Sequence, residues 1–193
     1  MLRALYDWVL HQAGRPYALW TLAAVSFVES SVFPIPPDVL LIPMILAAPH
    51  RAWWIATVCT VASVAGGAAG YGIGWGLYET VGQPVLEFYG KADAFGDLAA
   101  AYNSQGFWAV LIAGVTPFPY KVITIFSGVT ELNFGLFMAT SVLARGLRFF
   151  VVAALLRRYG ISIRDFVEKR LGLVATVSVG LLLGGFAAAR YAL

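Results

Sequence analysis

Apolar residues run along this chain in long blocks: Pro16 to Ala48, Trp53 to Tyr78, Gly106 to Gly128, Phe134 to Leu156 and Leu171 to Ala189. Several reach the ~20 residues that a helix needs to cross about 30 Å of hydrocarbon. Two blocks are broken from within. SVFPIPPDVLLI (31–42) carries Pro34, Pro36 and Pro37, and GVTPFPYKVITI (114–125) carries Pro117 and Pro119. The halves flanking the second break, Gly106 to Val115 and Val122 to Val129, cover about 15 Å or less at 1.5 Å per residue, so neither spans. The pattern predicts two half-helices that enter and leave by one membrane face with the prolines at the tip. In the first block Val39 to Ala48 is equally short, whereas Pro16 to Val32 is nearly long enough to cross.

The two breaks also align. At an offset of 83 residues, Val32, Pro34, Pro36, Val39 and Ile42 fall on Val115, Pro117, Pro119, Val122 and Ile125, while Asp38 falls on Lys121. Paired, proline-interrupted apolar segments are the sequence sign of an inverted repeat of the transporter kind. The fold class expected is therefore an all-α polytopic membrane protein, one domain over 1–193. Each repeat is a re-entrant helical hairpin plus a transmembrane helix, over about 16–78 and 106–156, and an extra C-terminal transmembrane helix covers about 171–189.

Charge placement gives a consistent topology. Arg157, Arg158, Arg164, Lys169 and Arg170 outnumber Asp165 and Glu168 in the 157–170 loop, which should be cytoplasmic. Between Glu79 and Gln105 the acids Glu79, Glu87, Asp93 and Asp97 face one cation, Lys91, so that loop suits the outer face. A cytoplasmic N-terminus follows. The first fifteen residues interleave Arg3, Asp7, His11 and Arg15 with apolar residues, which fits an amphipathic helix on the membrane surface better than a signal peptide.

Composition narrows the chemistry. Of 193 residues, 60% are hydrophobic and 12% charged, well short of the roughly one-quarter charged usual in soluble domains. The net charge of +3 is scattered around membrane segments rather than gathered into a basic stripe, so nucleic acid is not an expected partner. Cys59 is the single cysteine, which excludes an internal disulfide and a multi-cysteine zinc site. His11 and His50 have no second ligand at helical spacing, and neither metal nor cofactor is expected. GGAAGYGIGWG places Gly66, Gly70 and Gly74 four apart, a spacing that lets helix backbones approach closely in lipid. Gly180 and Gly184 offer a similar seam, and a homodimer is compatible with both.

Glu29, Asp38, Lys121, Arg145 and Arg148 lie inside apolar segments, where each charge costs roughly 2.5–3.5 kcal/mol on insertion scales and must pair or meet water. Proline removes an N–H donor and frees carbonyls, which is tolerable only where the backbone lines a protein or aqueous cavity. The breaks therefore build a polar cavity. If the hairpin tips meet, Asp38 and Lys121 form an ion pair or gated pair across a pseudo-twofold axis. Arg145 and Arg148, three apart, share a helix face. They suit a phosphate clamp, headgroup contacts or neutralisation of Glu29 and Asp38. Glu29 is either a proton carrier or a carboxylate held by one of these arginines. Glu131 is expected at the interface, with Asn133 capping the next helix.

FVESSVFPIPPDVLLIPM, GYGIG and AGVTPFPYKVITIFSG together resemble the DedA family, also called the SNARE-associated or VTT-domain family, and within it the YqaA-type branch. The resemblance covers roughly residues 20–160. It implies a bacterial inner-membrane protein with two opposed re-entrant hairpins, linked to lipid movement between leaflets and with proton coupling suggested. Larger members carry two arginines around the second proline motif as RxxPxxR. Here Gly114 stands about where the first would be, and Lys121 replaces the second, one residue displaced.

The function expected is a membrane lipid translocator, a flippase or scramblase for phospholipid or polyprenyl phosphate, with protons as a possible coupling ion. The same scaffold suits a proton-coupled exporter of small solutes or cations. The acids favour that alternative, and the lysine and two arginines oppose a cationic cargo. An enzyme such as a lipid-phosphate phosphatase is disfavoured because neither histidine shares a segment with the basic residues. A purely structural role leaves the intramembrane charges without purpose.

Overall fold

The computed structural model describes residues 17–32, 36–90, 92–116 and 118–169. Regular structure among them is entirely helical: α1 (Ala18–Ser31), α2 (Asp38–Ala47), α3 (Ala52–Leu77), α4 (Gln83–Phe88), α5 (Ala92–Ser104), α6 (Gly106–Val115), α7 (Tyr120–Val129) and α8 (Phe134–Lys169). The helical stretches Pro49–Phe88 and Phe134–Gly160 are long and apolar enough to cross a membrane. The surface amphipathic helix expected at the N-terminus, Pro34, Pro117, Lys91, and the C-terminal helix with Gly180 and Gly184 lie outside the described residues.

The prolines set the helix ends. Thr116, which precedes Pro117, is extended at ψ 167°, as the clash with a following proline ring demands, and α6 stops there. Pro119 and Pro37 each stand immediately before a new helix, where no intrahelical donor is lost. With 10 residues each, α2, α6 and α7 reach about 15 Å, half a bilayer. At the far end of α7, Glu131 takes the left-handed conformation (φ 53°) and turns the chain. Asn133 Oδ1 then accepts the Leu136 N–H at 2.9 Å and caps α8.

Contacts fix the directions of the helices. Ser26 meets Cys59 and Ser30 meets Ser63, a constant offset, so α1 and α3 run parallel. Thr124 packs on Gly70 and Gly128 on Tyr71, so α7 runs the same way. Trp53 stacks on Phe150 while Tyr71 meets Phe137, so α8 is antiparallel to α3. Gly114 lies on Ala144 and Arg148 bonds Thr116, which sets α6 parallel to α8. Asp38 bonds Arg148 and Leu46 approaches Gly160, which does the same for α2. Each long helix thus carries the first short arm of its own segment and the second short arm of the other.

The glycine stripe makes this possible. A Cβ at Gly66 would strike the carbonyl of Phe27 on α1, and one at Gly74 the carbonyl of Ile125 on α7. At Gly70 it would meet Thr124 and Ser30. The apolar core lies beside this seam: Leu41 and Ile45 of α2 are fully buried with Phe149 and Ala153 of α8 and Ile55 and Ala56 of α3.

Two segments differ from expectation. The acidic stretch 79–105 is no loop: a π turn (Tyr78–Gly82) carries the α3 direction into α4, and α5 follows. Tyr78 stacks on Phe95, and Tyr102 and Asn103 bond Ser127 and Thr130, which anchors α5 against the end of α7. The basic stretch after Arg157 is likewise helical to Lys169, because α8 continues past its apolar block.

Candidate functional site

The flanks of the two helix breaks come together between α3 and α8, and four of the intramembrane charges resolve into two ion pairs there. In the deeper pair Arg145 Nη2 lies 2.9 Å from Glu29 Oε2, with side chains 1% and 11% exposed. Arg145 Nε also donates to Ser63 Oγ at 2.6 Å, Ser63 lies 2.7 Å from Ser30 Oγ, and Ser30 donates to Glu29 Oε2 at 3.1 Å. The Arg145 guanidinium stands 4.8 Å from the Tyr120 ring centroid and 4.6 Å from that of Phe149. Tyr120 is itself pinned by its hydroxyl, which donates to Ser141 Oγ at 2.5 Å. Burying two charges is offset only when geometry and extra hydrogen bonds are good, and here serines and aromatic faces supply them.

The outer pair is wetter. Arg148 Nη2 donates to Asp38 Oδ2 at 2.6 Å, with side chains 19% and 23% exposed. Its other terminal nitrogen, Nη1, donates to the Thr116 carbonyl at 2.9 Å. Arg148 therefore ties the start of α2 to the end of α6, one flank of each break. Lys121 makes the reciprocal tie: its Nζ donates to the Val32 carbonyl, at the end of α1, at 3.2 Å. Both first arms end with a cation on their terminal carbonyl, the favoured sign at a helix C-terminus.

Asp38 is thus held by Arg148, and the expected Asp38–Lys121 pair is absent from the structure. Positions equivalent by repeat need not be adjacent: Lys121 sits in the first turn of α7 and reaches α1, whereas Arg148 projects from α8 toward α2. The guanidiniums do not stand free as a two-arginine phosphate clamp either, since each already holds a carboxylate. Pro36 is exposed and Pro37 buried at the first break. His50 lies exposed in the short turn between α2 and α3.

The structure adds Ser30, Ser63, Tyr120, Ser141 and Thr124, whose hydroxyl donates to the Ser30 carbonyl at 2.9 Å. A signal for the serines exists in the sequence: Ser26 and Ser30 repeat at four residues, as do Cys59 and Ser63, polar teeth at helical spacing within apolar segments.

Residues 35–158 match the VTT domain. The chain is 36% identical over 151 residues to an uncharacterized protein of Haemophilus influenzae, covering 78% of each chain. It is 34% identical over 168 residues to an uncharacterized protein of Histophilus somni, covering 85% of this chain and 87% of the relative. No solved structure matches it.

Proposed function

We propose, from the premise that this chain belongs to the VTT-domain (DedA) family of membrane proteins, that it moves lipids carrying a phosphorylated headgroup between membrane leaflets. The observation that carries this reading is the cross-tied junction of the two breaks, with Arg148 on Thr116 and Asp38, and Lys121 on Val32. Broken helices at mid-depth place ends of backbone, not side chains alone, at a binding site. Cations held there by partly exposed contacts suit a phosphate, while the acyl or polyprenyl tails stay in the bilayer.

Helix directions support an inverted repeat. In this reading α1, α2 and α3 form a re-entrant hairpin plus a span, and α6, α7 and α8 repeat it upside down. Alternating access then follows from rocking one hairpin against the opposite span. The Arg157 guanidinium lies 5.6 Å from the Trp53 ring, so Arg51 and the Arg157–Arg158 pair share one end of the bundle. By the positive-inside rule that end is cytoplasmic, as is the N-terminus, in a bacterial inner membrane.

Both intramembrane acids are engaged by arginines, which counts against export of a cation. The role is carriage without bond chemistry. Transbilayer movement of a labelled phospholipid, and of a polyprenyl phosphate, in proteoliposomes tests it. Wild-type protein should accelerate one of them and Lys121→Ala should slow that movement. Wild-type rates equal to empty liposomes for both would overturn the proposal.

A further inference from the structure

The two arginines are three residues apart on α8, yet only one is open to a ligand. Arg145 is enclosed: its Nε and Nη2 donate to Ser63 and Glu29, Tyr120 and Phe149 lie against its guanidinium, and 1% of its side chain is exposed. Arg148 is divided. One terminal nitrogen meets a single oxygen of Asp38 and the other meets a backbone carbonyl, and 19% of the side chain reaches the surface. A guanidinium edge matches two oxygens of one carboxylate or phosphate, so a one-oxygen contact leaves it short of its best partner.

We infer that Arg148 is an anion-binding group whose present occupant, Asp38, substitutes internally for a ligand phosphate, and that phosphate binding displaces Asp38 and frees the start of α2. This deepens the translocation reading and rests on it for the source of the phosphate. Four features carry the exchange. Asp38 is the first residue of α2 and follows the break directly, so it can swing away without unwinding helix. Once displaced it remains at a helix N-terminus, where a carboxylate is favoured. The polar tie of α2 to α8 is this contact; the rest of the seam is apolar, built of Leu41 and Ile45 against Phe149 and Ala153, and can slide. Lys121, on the other flank of the first break, supplies a second cation at the junction. The ligand class is a phosphate group, as the mono- or diester of a lipid headgroup or as free inorganic phosphate.

The test is calorimetric binding of inorganic phosphate and of dihexanoyl phosphatidic acid to the full chain in neutral detergent. Removing the internal competitor by Asp38→Asn should tighten binding of at least one probe about fivefold, the upper end for an ion pair that solvent reaches. Arg148→Gln should weaken it at least tenfold. A second readout avoids reliance on variants of the pair: spin labels at Val39 and Val142, both exposed, in a Cys59→Ser background should move apart when the probe saturates the protein. Unchanged or weaker binding in Asp38→Asn, unchanged binding in Arg148→Gln, or a fixed label distance at saturation would each overturn the inference. Preference for inorganic phosphate over the lipid probe keeps the exchange and assigns it to free phosphate. Absence of lipid movement in proteoliposomes overturns the translocation reading alone, because binding is read separately.

Discussion

Glu29 and Arg145 stand 116 residues apart in the chain and 2.9 Å apart in the fold, each almost wholly out of solvent. Removing one partner strands a charge inside the bundle. Arg145→Met should therefore lower stability by about 3–5 kcal/mol, whereas Glu29→Leu together with Arg145→Met should recover most of it. Thermal unfolding in detergent reads both, and a double variant no better than the single would show that the pair is not the coupled unit.

The outer pair predicts a specific charge swap. Asp38→Arg and Arg148→Asp should each lower thermal stability in detergent, and the combination should restore much of it with a coupling energy of about 1 kcal/mol. Exchanging Asp38 with Lys121 should restore nothing, since those side chains do not meet. Rescue by the second swap and not by the first would reverse the assignment.

Glycines on α3 divide into two kinds. Gly66→Ala and Gly74→Ala drive a methyl into the carbonyls of Phe27 and Ile125, rigid obstacles that should cost about 1–3 kcal/mol. Gly72→Ala meets open space and should be neutral or stabilising by up to about 1 kcal/mol, because alanine favours helix. Equal melting shifts for all three would contradict the seam.

Cys59 is fully buried against Ser26, so the folded protein should resist maleimide until it is denatured. In a Cys59→Ser background, cysteines placed at Pro36 and Pro119 probe the hairpins. Re-entrant arms predict that both tips react from within the membrane-embedded cavity. Labelling of the two from opposite aqueous compartments, each beyond a full span, would remove the hairpin from the proposal.

The sequence displays the helix ends more clearly than their partners. Pro34 to Pro37 and Pro117 to Pro119 mark where α1 and α6 stop and where α2 and α7 start, because proline acts locally on its own backbone. The four-residue glycine spacing announces close approach but not against which backbone, since Phe27 and Ile125 are unremarkable in sequence. Ion partners are hidden for a related reason. Pairing depends on how each helix is rotated, and the alignment of the two breaks, which lays Asp38 over Lys121, says nothing of contact. Ser30 and Ser63 go unnoticed because a small hydroxyl in an apolar helix ordinarily bonds its own backbone, as Thr60 does with Ala56. The helices of 83–104 carry no long apolar block, and their acids read as loop.

The exchange of second arms bears on biogenesis. One wall of the seat of α2 is built from Phe149, Ala153 and Leu156 of α8. The ribosome makes those residues about a hundred positions after α2 itself has emerged. An early intermediate at the translocon can join α1 to α3 through the serine ladder and the glycines, but α2 must wait beside them with the α8 side of its seat missing. Insertion therefore cannot be finished half by half: α2, in the first half of the chain, is seated only once α8, in the second, has been made.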